Sequence, residues 1–128
     1  MKTITIDGGR FDNLESFYDE IQRLFCPGFV GFGRNLDAVN DLLHGGFGVF
    51  AYEEPIEIVW RDTDRSRLRL DHAALFRYLR GVREAAHASS HDQQNALIAD
   101  AEAGQGPTLF DVIAEVVQGQ NHITLMLR

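Results

Sequence analysis

Asp37, Asn40, Asp41 and His44 fall within one stretch, GFGRNLDAVNDLLHGG, from Gly31 to Gly46. Their spacing of i, i+3, i+4 and i+7 puts them on one face of a helix. Two carboxylates four residues apart repel each other by roughly a few tenths of a kcal/mol, so the pair does nothing for the helix itself. Concentrated negative charge on an exposed face suits recognition of a basic surface. The plain alternative is that any amphipathic helix needs a wet face. Asp37, Asp41 and His44 also have the donor types for a divalent cation and a metal-assisted hydrolysis, but three ligands on one exposed face lack a cage.

Other chemistry is weaker still. Cys26 follows Phe25 at a helix end, the setting of a packed thiol rather than a nucleophile. GFGRNL has two glycines at phosphate-loop spacing, but Leu36 stands where the third belongs and no strand precedes it. His87 and His91 have ligand spacing on a helix, yet Ser89 and Ser90 interrupt it. Asp7 and Asp12 would be the acids of a phosphoacceptor receiver, for which the strands are too few. No cofactor is expected.

The chain has 128 residues, 45% of them hydrophobic, which fits one domain over 1–128 with a proper core. A single cysteine forms no internal bridge, and the strand-like start MKTITIDGG is no signal peptide, so a cytoplasmic location is expected. No apolar run reaches the length that crosses a bilayer. With 19 acids against 12 bases and a net charge of -7, the composition argues against nucleic-acid binding and for a basic partner.

The elements that must position the acidic face follow in order. KTITID, residues 2–7, alternates as a strand with Ile4 and Ile6 inward. Asp12 or Asn13 caps a helix carrying Leu14, Phe17, Ile21, Leu24 and Phe25 inward, stopped by Pro27 and Gly28. Asn35 caps the central helix, Leu36, Val39, Leu42 and Leu43 form its apolar stripe, and Gly45 with Gly46 ends it. Phe47, Phe50 and Tyr52 then read as a loop over the core. Residues 56–61, IEIVWR, form a second strand with Ile56, Ile58 and Trp60 on one side.

The interleaved charges from Asp62 to Arg69 read as a solvated loop. A helix from Asp71 to His87 turns Leu75, Leu79 and Val82 inward despite Gly81. Ser90 and Gln93 have capping-box spacing for a helix through Ala101 to Gly104, although the alanine-rich segment 85–106 reads equally as a mobile excursion. Pro107 has the place of a first-turn proline before the stripe Leu109, Phe110, Ile113, Val116 and Val117, with Glu115 on the wet side. HITLMLR ends the chain as a third strand. This order implies an α/β layer, a small three-stranded parallel sheet packed with helices.

On Phe32, Gly33, Asn35, Leu36, Asp37, Ala38, Asp41 and Leu43, with Val39 for leucine, the central stretch resembles the motif of the barstar family of intracellular ribonuclease inhibitors. The likeness runs more loosely over 1–61 and returns at 106–128, in PTLFDVIAEVVQG and HITLMLR. It implies a non-enzymatic inhibitor, of antitoxin or immunity type and a monomer when free. Its partner would be a basic secreted-type ribonuclease or related toxin, whose active site it covers with the helix and the preceding loop. The resemblance further implies that Asp41 replaces a substrate phosphate, Asp37 pairs with a neighbouring base and Glu115 adds a peripheral charge.

Departures fall where the family places aromatic or acidic groups: Asn40 stands for a tryptophan, Gly31 for a tyrosine, Gly46 displaces an aromatic to Phe47, and Arg34 is basic. Segment 65–105 is longer than its counterpart. Phe32, Asn35 and His44 complete the expected partner-binding set. The lost aromatics leave open a second reading, an acidic interaction module for a basic partner that is not a nuclease.

Overall fold

The structure, a computed structural model, describes residues 1–28, 32–45, 49–85 and 91–128, the side chains of 82–85 and 91–94 excepted. Gly31, Gly46, Phe47, His87, Ser89 and Ser90 lie outside the described residues, as do the side chains of Val82, His91 and Gln93. Among the described residues there are three strands, β1 (Lys2–Asp7), β2 (Ile56–Arg61) and β3 (Ile123–Leu127). They form one parallel sheet in the order β1-β2-β3. Six α-helices accompany them: α1 (Leu14–Phe25), α2 (Leu36–Leu43), α3 (Thr63–Arg69), α4 (His72–Ala85), α5 (His91–Glu102) and α6 (Leu109–Gln118). The fold is the expected α/β arrangement.

Strand alternation decides where the core lies. Ile56, Ile58 and Trp60 point to one face and are fully buried, while Thr3, Thr5 and Thr124 stand exposed on the other. Trp60 is the centre of that core. Its ring stacks on Phe17 at 5.8 Å and meets Phe110 edge-on at 4.8 Å. A buried indole N–H needs an acceptor, and Trp60 Nε1 donates to Ser66 Oγ at 3.0 Å.

That bond explains a correction. The stretch from Asp62 to Arg69 is not the solvated loop its charges suggest, because residues 63–69 form α3. The inward side of α3 is polar: Ser66 accepts from Trp60, and the Thr63 hydroxyl donates to the carbonyl of Arg128 at 2.7 Å. Arg65 donates to the carbonyls of Gly8 and Phe11 and pairs with Asp12. The helix can approach the turn after β1 so closely only because Gly8 has no side chain; a Cβ there would lie 2.6 Å from Ser66 Oγ.

Two smaller corrections concern helix starts and loops. Pro107 is not the first residue of α6. Thr108 is the cap, its hydroxyl accepting from the Asp111 N–H at 3.1 Å while the Asp111 carboxylate accepts from the Thr108 N–H at 3.0 Å. This reciprocal box fixes the first helical residue at Leu109, two residues after the proline. Of the aromatics after α2, Phe50 is buried with its edge on Phe25, but Tyr52 is 68% exposed rather than laid over the core. Asn13, not Asp12, caps α1. The segment beyond residue 90 takes the helical alternative, α5 packing against α4 with Ala101 buried.

Candidate functional site

Helix α2 forms as its sequence dictates. The Asn35 side-chain oxygen accepts from the Ala38 N–H at 2.7 Å, satisfying one of the orphan donors of the first turn. Leu36, Val39, Leu42 and Leu43 are all buried. Beyond His44, Gly45 takes φ +89°, and a Cβ at that position would meet the Phe50 ring at 2.6 Å. The chain thus turns tightly and returns across the end of α2, where the Glu53 N–H donates to the His44 carbonyl at 2.6 Å.

With the stripe inward, Asp37 and Asp41 are exposed on the opposite side. No hydrogen bond or ion pair engages either carboxylate among the described residues. Asn40 is half-buried between them and the core, its oxygen accepting from Gln120 Nε2 at 2.6 Å. Gln120 also donates to the carbonyl of Val116, so α2 is braced against the end of α6. At the C-terminal end the His44 ring stacks on Tyr52 at 6.1 Å and on His122 at 6.2 Å. His122 Nε2 lies 2.7 Å from the carbonyl of Leu43, one of the unsatisfied acceptors of the last turn.

The remaining expected contact residues are placed differently. Arg34, at φ +50°, turns to α1: it bonds the Glu15 carboxylate at 3.1 Å and the Asp19 carboxylate at 3.0 Å, and lies 5.6 Å from the Tyr18 ring centre. Its charge is therefore matched by α1 rather than set against the acids of α2. Phe32 is 9% exposed, its ring edge-on to Tyr18, so it packs inward against α1. Asn35 is occupied as the cap. Glu115 is exposed on α6, which packs beside α2.

Three supporting groups escape the sequence patterns: Tyr52, Gln120 and Tyr78. Tyr78 of α4 reaches the start of α2. Burial raises its phenol pKa, the charge of Asp37 adds to the rise, and the Leu36 N–H opposes it. Its helical spacing with Leu75 and Leu79 is the signal that would have marked it as inward-facing. The long segment after residue 65 thereby supports the acidic helix. Beside it a groove of about 630 Å³ opens between α1, α4 and the start of α2, lined by Tyr18, Arg34, Asn35, Arg69, Arg77 and Tyr78.

No alternative chemistry gathers here. Cys26 is 1% exposed, and burial pushes its thiol pKa up, which suppresses the reactive thiolate. Among the described residues no three His, Cys, Asp or Glu side chains come together as a metal site, and no helix is long and apolar enough to cross a membrane. What the site offers is a pair of carboxylates unmatched among the described residues, on a short, well-anchored helix.

Comparison with known proteins identifies the family. A family model described as Barstar (barnase inhibitor) matches residues 1–100, from β1 into α5, and so takes in α2 and most of the long segment after residue 65. Helix α6 and β3 lie beyond the matched residues. No curated protein matches the chain. The hydrolase alternative falls with the family match, and the chain belongs to the barstar family, whose proteins are inhibitors and not enzymes.

Proposed function

We propose that the protein inhibits a basic ribonuclease or related toxin by seating the exposed face of α2 and the loop before it over the nuclease's active site. The observation that carries this reading is the pair Asp37 and Asp41, unmatched among the described residues, on a helix capped and braced at both ends. Removing a carboxylate from water costs several kcal/mol, roughly, unless cations replace the solvent, so this face suits a cationic cleft and few other surfaces. Asp41 takes the place of a substrate phosphate among the nuclease's Arg and Lys groups, Asp37 meets an adjacent base, and Glu115 contributes at the rim. Because the helix is already held, little ordering entropy opposes binding. The protein acts as a monomeric domain over 1–128, in the cytoplasm.

One observation favours a second reading, an acidic module for a basic partner that is not a nuclease: Asn40 is engaged with Gln120, and α2 itself projects no aromatic side chain. Titration against a panel of small basic ribonucleases that includes barnase separates the two. The inhibitory reading gives loss of RNA cleavage at one inhibitor per enzyme for at least one member. Binding to basic proteins with cleavage unchanged throughout the panel favours the second.

A further inference from the structure

Resting on the reading of α2 as the docking helix, we propose that Tyr52 is the aromatic anchor of this face. Its ring receives a guanidinium or ammonium group at the rim of the basic nuclease's cleft. The outward side of α2 and its cap carries two exposed acids, a half-buried amide and a half-buried imidazole, whereas protein interfaces concentrate their contact area in aromatic side chains. Tyr52 supplies that area from a neighbouring loop. At 68% exposure it is one of few large apolar side chains open to solvent among the described residues.

Its position is fixed rather than incidental. Phe50, two residues earlier, is buried; the Ala51 N–H donates to the Glu54 carboxylate at 2.9 Å; and the Glu53 N–H holds the carbonyl of His44. Glu53 sits at φ +54°, a conformation a non-glycine residue keeps only where its surroundings enforce it. The ring lies within 25° of parallel to His44 with 6.1 Å between centroids, and at 68% exposure much of its surface is left open to solvent. His44 follows Asp41 by three residues and Asn40 by four, so the stack continues the acidic stripe along the helix. The Glu53 carboxylate, 3.8 Å from His44 Nδ1 and half-exposed, stands beside the stack and favours a cation over the exposed ring.

The test uses the panel ribonuclease that the wild-type protein inhibits most strongly. Tyr52→Ala and Tyr52→Leu should each weaken inhibition by about 10-fold, the upper range of an aromatic–cation contact, while Tyr52→Phe stays within about 3-fold. Thermal unfolding should be unchanged in all three. Inhibition by Tyr52→Ala equal to wild type overturns the anchor, and if Asp41→Ala still loses inhibition, only the anchor falls. Tyr52→Leu matching wild type overturns it too, since a leucine keeps apolar contact without the ring. If the wild-type protein inhibits no member, the reading of α2 fails and the anchor fails with it.

Discussion

Helices α1 and α2 are built alike and differ in what becomes of their acids. Each starts on an asparagine cap, Asn13 or Asn35, and each buries one apolar stripe. On α1 the acids are matched: Glu15 and Asp19 share Arg34, and the buried Glu20 takes Arg10 at 3.2 Å, Arg23 at 2.8 Å and the Asp7 N–H at 3.1 Å. On α2, Asp37 and Asp41 have no counter-charge among the described residues. The net charge of -7 is thus of two kinds. Matched acids hold α1 to β1 and to the loop before α2, whereas unmatched acids on a braced helix are available to something outside the molecule.

Substitutions that attack one helix and spare the other sharpen this contrast. Asp41→Ala should weaken nuclease inhibition by about 100- to 1000-fold, because it strands the partner's cations in a desolvated interface, and should leave the melting temperature unchanged. Inhibition assays beside thermal unfolding read both. Glu20→Ala reverses the pattern. It leaves the Asp7 N–H without its acceptor and two guanidinium groups without their carboxylate, so urea unfolding should show a loss of about 2–3 kcal/mol while inhibition by the folded fraction persists. Asn35→Ala should act on both properties mildly, costing about 1 kcal/mol of stability through the lost cap and loosening the helix that presents the acids.

Legibility in the sequence followed the same division between apolar and polar causes. Leu36, Val39, Leu42 and Leu43 announced α2 through their helical period, and Asn35 and Gly45 marked its ends with residues suited to a cap and a left-handed turn. The three strands were equally plain, since β-branched alternation needs no tertiary information. Helix α3 was not readable, because its inward residues, Thr63 and Ser66, are polar and are buried by partners at Arg128 and Trp60. The same blindness hid the direction of Arg34. Only the fold brings Glu15 and Asp19, 19 and 15 positions earlier, to its guanidinium, and so removes a base from the acidic face. Tyr52 and Phe50 lie two residues apart among glycines, and nothing in their types tells which one the core will take.

The most direct test removes two negative charges from either helix and compares the effect on one inhibition constant. Asp37→Asn with Asp41→Asn, and Glu15→Gln with Asp19→Asn, change the net charge equally and keep the side-chain shapes. If unmatched acids on α2 form the inhibitory surface, the first pair loses about 1000-fold or more and the second less than about 10-fold. Equal losses in the two pairs would show that overall acidity, rather than the face of α2, draws the nuclease, and would contradict the account.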